Sequence, residues 1–162
     1  MAKYFIIAGE ASGDIHGASL IRALRQEDAE AQFQFLGGDM MAEAAGVRPL
    51  IHYRDMAYMG FVEVLKHLPT ILGFMATAKK AIMDNRPDAV ILIDYPSFNL
   101  KIAKFAHDKG IPCFYFISPK VWVWKEYRVK QIKRYIARLF SILPFETAFF
   151  RKHDYEVEYV GN

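Results

Sequence analysis

An unbroken run of aliphatic residues, Ala89–Ile93, ends directly on the carboxylate of Asp94. Because every position in the run is apolar, it predicts a strand covered on both faces, as in parallel α/β sheets. The carboxyl ends of such strands border the crevice in which open α/β sheets bind ligands. Asp94 is therefore a candidate functional residue. The alternative is that Asp94 only shapes an Asx turn or caps a helix near Asn99.

Strand-like runs alternate with helical patterns along the chain, which predicts a doubly wound, mostly parallel, Rossmann-like α/β sheet. Besides the central run, strands are predicted at residues 4–8, 32–36, 50–52, 112–117, 139–143 and 156–160. Helices are predicted at residues 12–26, around 41–45, 60–85 with a break at Pro69, 100–109, 127–137 and 146–153. Gly46 is expected to end the second helix in a left-handed conformation.

Composition narrows the class of protein. A chain of 162 residues suits one well-buried domain, and its one cysteine, Cys113, is expected to be a small buried side chain in a reducing compartment. The first apolar segment is too short for a signal peptide, and no apolar run reaches the ~18 residues of a membrane span. The five histidines lack the spacing of metal ligands. We therefore expect a domain in a reducing compartment, without a metal or cofactor.

The loop after the first strand carries two carboxylates and a hydroxyl, from Glu10, Asp14 and Ser12. Its glycines recur every fourth residue, at positions 9, 13 and 17, which does not fit a dinucleotide-binding loop, and its acids would repel a phosphate. These side chains suit hydrogen bonds to sugar hydroxyls or to a lipid-linked amide. The alternative is that Ser12 is the N-cap of the first helix and Asp14 complements its dipole.

Residues 59–75 contain more large apolar side chains than one buried helix face requires. Some of them should therefore be exposed, and an exposed apolar patch usually marks a partner, a lipid or a membrane. Core packing and a subunit interface, as in a homodimer, are the alternatives. The candidates for contact with a membrane or with acyl chains are Phe61, Val64, Leu65, Leu68 and Leu72.

Residues 120–138 carry seven basic side chains and one acidic side chain, a net charge of +6 in a chain whose formal net charge is +3. Tryptophans and tyrosines alternate with these charges. The combination suits an anionic membrane surface, a phosphorylated ligand or RNA. No nucleic-acid motif accompanies it, so we expect no nucleic-acid partner. The alternative is a helix with a solvated basic face.

Five motifs in this order and spacing resemble the N-terminal half of the lipid-A-disaccharide synthase family. They are GEASGD at 9–14, MGFVEVL at 59–65, IDYPSFN at 93–99, ISPKVWVW at 117–124 and LPFE at 143–146. The resemblance implies one half of a GT-B-type inverting glycosyltransferase with two facing Rossmann-like domains. This family joins UDP-diacylglucosamine to lipid X and forms lipid A disaccharide 1-phosphate and UDP, at the cytoplasmic face of the inner membrane of Gram-negative bacteria.

The same resemblance implies roles for individual residues. Asp94 matches a candidate general base, and residues 59–75 match the region that meets acyl chains or the membrane. Ser97 stands where many members of the family have a second Asp. The expected substrate-binding residues are Glu10, Ser12, Asp14, Met59, Gly60, Ser97, Asn99, Ser118, Trp122, Trp124 and Glu146.

The resemblance implies that residues 1–162 form the acceptor-side domain, and the length of the chain implies that the UDP-binding domain of the family is absent. A different class of function is also open: a non-catalytic Rossmann-like module that binds a lipid or an anionic surface. An in-frame continuation of the gene into a second Gly-rich βα domain would favour the enzyme.

Overall fold

A computed structural model describes residues 1–57, 61–120 and 127–161, except for the side chains of residues 61, 62 and 64. Within these described residues, seven parallel strands form one sheet in the order β3-β2-β1-β4-β5-β6-β7. The strands are β1 (Lys3–Ala8), β2 (Gln32–Gly37), β3 (Ile51–His52), β4 (Ala89–Ile93), β5 (Cys113–Phe116), β6 (Arg138–Ser141) and β7 (Glu158–Tyr159). The helices are α1 (Ala11–Glu27), α2 (Asp39–Ala45), α3 (Tyr53–Met56), α4 (Phe61–Lys66), α5 (Leu68–Asn85), α6 (Pro96–Asp108), α7 (Tyr127–Tyr135) and α8 (Glu146–Arg151).

The order of strands reverses between β1 and β4. From β1 the chain builds outward through β2 to β3, and from β4 it builds outward in the opposite direction to β7. Ala8 pairs with Ile93 at the carboxyl ends of the two central strands. The loops that follow these strands diverge, which opens a crevice at this edge of the sheet.

The two faces of the sheet are covered to different extents. Val90 and Leu92 of β4 belong to the core beneath α5, α6 and α7, whereas Ile91 and Ile93 belong to the core beneath α1 and α2. The predicted strand with two covered faces is thus confirmed. Beyond α1 the second face opens into an apolar groove of about 650 Å³, whose floor includes Phe114 of β5.

The structure corrects several predicted boundaries. Helix α6 begins at Pro96 rather than Leu100, because Pro at the first helical position fits its fixed φ angle. Pro69 lies inside the first turn of α5 for the same reason, and the break between α4 and α5 falls at His67. The last strand is only two residues long, and α3 was not predicted. Gly46 has φ 72°, which confirms the left-handed cap.

None of the helices in the described part of the chain combines the length and apolarity needed to cross a membrane.

Candidate functional site

The candidate site is built on a strained turn after β4. Asp94 and Tyr95 both adopt left-handed backbone conformations, with φ angles of 47° and 49°. For residues with a Cβ this costs about 1–2 kcal/mol each. Neighbouring groups therefore have to hold the turn: the Asp94 N–H donates to the carbonyl of Phe116 at 3.0 Å, and the Asn99 Nδ2 donates to the carbonyl of Asp94 at 2.8 Å.

The turn packs directly against the loop after β1. A Cβ atom on Gly9 would lie 2.4 Å from the ring of Tyr95, so only glycine fits beneath this ring. The Tyr95 hydroxyl donates to the carbonyl of Met56 at 3.3 Å. Tyr95 thereby connects the loops that follow β1, β3 and β4 around one crevice.

Two carboxylates meet in this crevice, those of Asp94 and Glu10. Burial raises the pKa of the Asp94 carboxyl above its ordinary value, and the negative charge of Glu10 raises it further. The N–H of Tyr95 and the positive charge of Lys120 oppose this shift in pKa. Asp94 is half-buried and Glu10 is exposed, so solvent and ligands can reach the pair. Such an arrangement can accept a proton from a bound hydroxyl.

The N-cap residue of helix α6 is Tyr95. The Tyr95 side chain makes no capping hydrogen bond. The alternative in which Asp94 caps a helix near Asn99 is therefore wrong. The helix starts after the left-handed turn and not at Asp94, because Pro96 fits the first turn of a helix. The Asp94 side chain is left at the crevice.

A cation lies beside the first turn of α6. Arg128, from α7, is half-buried and donates to the hydroxyl of Ser97 at 3.3 Å. In the sequence, Arg128 belongs only to a basic cluster, because no local pattern predicts that its side chain lies at the crevice. Lys120 was missed as a site residue as well, although its position shortly after β5 puts it at the carboxyl edge of the sheet.

Asp14 has a buried structural role. Its carboxylate accepts the N–H groups of Gly38 at 2.8 Å, Met40 at 3.1 Å and Met41 at 3.1 Å, at the start of α2. These contacts satisfy donors that a helix N-terminus leaves without partners inside the helix. Because the carboxylate is buried and already accepts three backbone N–H groups, we do not propose Asp14 as a substrate contact.

Ser12 lies inside α1, which has Glu10 as its N-cap residue. The alternative in which Ser12 is the N-cap is therefore wrong, because the helix begins one residue before it. The Ser12 hydroxyl donates to the Glu10 carboxylate at 3.2 Å. Ser12 thus helps to orient the exposed partner of Asp94.

Three other predicted substrate contacts are buried: Asn99, Ser118 and Glu146. Asn99 donates to backbone carbonyls beneath the turn, Ser118 donates to the carbonyl of Pro119, and Glu146 accepts from the hydroxyl of Ser141. The structure does not bring these side chains to the surface of the crevice. Other predicted contacts lie outside the described residues or side chains: Met59, Gly60, Phe61, Val64, Trp122 and Trp124.

The predicted exposure of apolar side chains on α4 and α5 is confirmed for three leucines. Leu65, Leu68 and Leu72 are 55%, 43% and 54% exposed. Further along α5, Met75 is buried in the core. Since helices that follow parallel strands begin at the carboxyl edge of the sheet, Leu68 and Leu72 lie towards the crevice end of the molecule.

The basic cluster contributes exposed lysines on α7. Lys130 and Lys133 line a groove of about 460 Å³ together with Lys152 and His153, beyond the end of α8. Asp154 also lines this groove, so its charge is mixed. The groove is suited to an anionic surface rather than to a deeply buried ligand.

The fold is shared with enzymes that are known from crystal structures. A UDP-GlcNAc 2-epimerase from Neisseria meningitidis, solved bound to UDP-GlcNAc, superposes with a TM-score of 0.68 at 11% identity, over 99% of this chain and 46% of that one. The glycotransferase of kitacinnamycin superposes with a TM-score of 0.58 at 14% identity, over 88% of this chain and 46% of that one. The chain is thus one Rossmann-like half of a GT-B-type fold.

Sequence similarity is more specific than the fold. The family model for lipid-A-disaccharide synthetase matches residues 4–162, and the chain belongs to this family. It is 44% identical to the lipid-A-disaccharide synthase of Acidobacterium capsulatum over 98% of its own length and 39% of the relative's. It is 40% identical to that of Koribacter versatilis, over 100% and 42%. The chain therefore spans about two fifths of the length of these curated relatives.

Proposed function

We propose that this chain is the acceptor-side domain of an inverting glycosyltransferase that joins UDP-diacylglucosamine to lipid X, forming lipid A disaccharide 1-phosphate and UDP. The observation that carries the proposal is the Asp94 carboxylate, half-buried at the switch point, with a pKa that burial and Glu10 raise. Membership of the lipid-A-disaccharide synthetase family supports this choice of reaction.

In the proposed step, ionised Asp94 accepts the proton of the acceptor hydroxyl. The hydroxyl oxygen forms a bond to the anomeric carbon of the UDP-sugar, and the bond from that carbon to the phosphate oxygen breaks. UDP leaves with the electron pair. A base with a raised pKa binds the proton more strongly, and general-base help of this kind contributes roughly 10² to 10⁴ in rate.

The remaining crevice residues supply the proposed contacts to substrate. Glu10 and Ser12 suit hydrogen bonds to sugar hydroxyls, since they lie at the start of α1, where Glu10 faces Asp94. Arg128 and Lys120 supply positive charge for the phosphate of lipid X, with Ser97 beside Arg128. A guanidinium group pairs well with phosphate oxygens.

The exposed leucines of α4 and α5 are the proposed contacts for acyl chains and for the membrane, and the lysines of α7 are the proposed contacts for its anionic surface. These contacts would make the protein peripheral at the cytoplasmic face of the inner membrane. The same leucine surface is the candidate contact of a homodimer. We assign binding of the UDP moiety to the part of the relatives that lies beyond the matched region.

A non-catalytic module that binds lipid or an anionic surface is the second candidate. It is favoured by the exposed leucines of α4 and α5 and the exposed lysines of α7, because binding through such a surface needs no carboxylate pair. The two functions differ in whether Asp94 matters.

The decisive experiment compares two substitutions in the full-length protein that contains this chain. Asp94→Asn keeps the shape of the side chain and removes the base, so kcat for the transfer reaction should fall roughly 10²- to 10⁴-fold. Asp88→Asn is the matched control: Asp88 is exposed at the opposite end of β4, where it accepts the N–H of Lys3 at 2.8 Å. This control should retain wild-type kcat.

Near wild-type kcat in a folded Asp94→Asn protein would reject Asp94 as the base. Failure of the unsubstituted protein to consume UDP-diacylglucosamine and lipid X, with vesicle binding intact, would favour the module instead.

A further inference from the structure

A buried tyrosine lies beneath the turn that carries Asp94. Tyr115, on β5, pairs in register with Leu92 of β4. Its side chain has no exposed area, and its hydroxyl donates to the backbone carbonyl of Asp94. This hydrogen bond lies in the protein interior beneath the turn, and not in the crevice.

A second donor converges on the same backbone. The Asn99 Nδ2 group lies 2.8 Å from the carbonyl oxygen of Asp94 and 3.3 Å from that of Ile93. Two buried donors therefore hold the Asp94 carbonyl inward. With the carbonyl held, the left-handed φ of 47° leaves the carboxylate half-buried beside Glu10.

Tyr115 can act as a donor over the whole working pH range. Burial raises the pKa of its phenol well above the ordinary value, and the negative charge of Asp94 adds to the shift. The phenol thus stays protonated where Asp94 is ionised. A phenol that lost its proton would instead repel the carbonyl that it holds.

We propose that Tyr115 is a positioning residue for the transfer reaction: by holding the Asp94 carbonyl it keeps the left-handed turn closed and the carboxylate beside Glu10. The inference rests on the proposed role of Asp94 as the base. Tyr115 does not touch the substrate and acts through Asp94 alone.

The test is a double-mutant cycle in the full-length protein. Tyr115→Phe keeps the ring and removes the donor, and we expect kcat to fall about tenfold, the equivalent of one hydrogen bond, with KM little changed. Tyr155→Phe is the matched control, because the half-buried Tyr155 hydroxyl also donates to a backbone carbonyl, that of Ile136 at 3.1 Å, away from the crevice. In an Asp94→Asn background, Tyr115→Phe should cause no further loss.

The pH profile supplies a signature that a loss of packing would not produce. Without the Tyr115 donor the carboxylate can move away from Glu10, so its pKa falls and the acidic limb of kcat/KM moves to lower pH. The acidic limb of kcat/KM should not move in the Tyr155→Phe control. An unmoved limb in Tyr115→Phe, or an equal loss of kcat with and without Asp94, would overturn the inference.

The two proposals fail in different ways. If Asp94→Asn alone leaves kcat unchanged, the assignment of the base is wrong. If Asp94→Asn lowers kcat and Tyr115→Phe does not, only the positioning role is wrong. Should Tyr115→Phe fail to fold, Asn99→Ala replaces it in the double-mutant cycle. This substitution removes the second donor to the same carbonyl, and its criteria are again the acidic limb of kcat/KM and the loss of kcat with and without Asp94.

Discussion

At the scale of single residues, the site is a compromise between chemistry and stability. Asp94 is held in a left-handed turn and half-buried beside a second carboxylate, and both burial and Glu10 disfavour its charged form. A base gains proton affinity from this environment, whereas the folded state loses stability. Groups of this kind are concentrated at functional sites.

The pH dependence of stability follows from the sign of this shift. Because the pKa of Asp94 is higher in the folded than in the unfolded state, the folded state binds more protons between the two pKa values. The contribution of Asp94 to stability therefore falls as pH rises through that interval. Asp94→Asn should raise the thermal midpoint above the interval and leave it nearly unchanged below, as measured by thermal unfolding at several pH values.

Asp88→Asn serves as the control here too, because Asp88 is exposed and accepts a backbone N–H. Its removal should not raise the midpoint. A lower midpoint for Asp94→Asn at neutral pH would mean that the ionised carboxylate stabilises the turn.

At the scale of elements, α5 changes from exposed to buried along its length. Leu68 and Leu72, in its first two turns, are exposed, whereas Met75, Ala78 and Ile82, further along, are buried. The later residues pack the helix into the core. The exposed leucines are therefore available for a lipid surface.

Leu68→Ser with Leu72→Ser should weaken binding to anionic vesicles several-fold and change the free energy of unfolding by less than about 1 kcal/mol, since exposed substitutions are usually each within about 0.5 kcal/mol. The control pair is Val47→Ser with Leu50→Ser, which are 48% and 43% exposed on a different part of the surface. Vesicle co-sedimentation and chemical denaturation measure the two quantities. Destabilisation by several kcal/mol would show that the leucines belong to the core or to a subunit interface.

At the scale of the whole molecule, the chain is shorter than the proteins that it resembles. The chain spans about two fifths of the length of the curated relatives described above, and the two solved structures described above are likewise matched over less than half of their length. In the proposed reaction, a single Rossmann-like half would supply contacts to one substrate. It leaves the reacting groups in water, without the positioning that accounts for much of catalysis.

We therefore expect the 162-residue chain to show no transferase activity by itself, while the full-length protein is active in the same assay. Product formation from UDP-diacylglucosamine and lipid X, followed with a labelled acceptor, measures both. Turnover by the chain alone would show that one domain completes the site.

Local patterns predict much of this fold because the signals for strands and helices are short in range. The apolar run before Asp94, the βα alternation and the cap at Gly46 all depend on neighbouring residues, and each is present in the structure. The boundaries were less well predicted, as at Pro96, because a turn with a left-handed residue has no simple pattern when that residue is not glycine.

The sequence by itself determined the class of fold, the family and the position of Asp94 at the end of a strand. Only the tertiary structure decided which groups surround that carboxylate. Glu10 approaches it because β1 lies beside β4, and Tyr115 lies beneath it because of the register with β5. The order and register of strands depend on contacts between distant segments, so no local pattern could place these partners around Asp94.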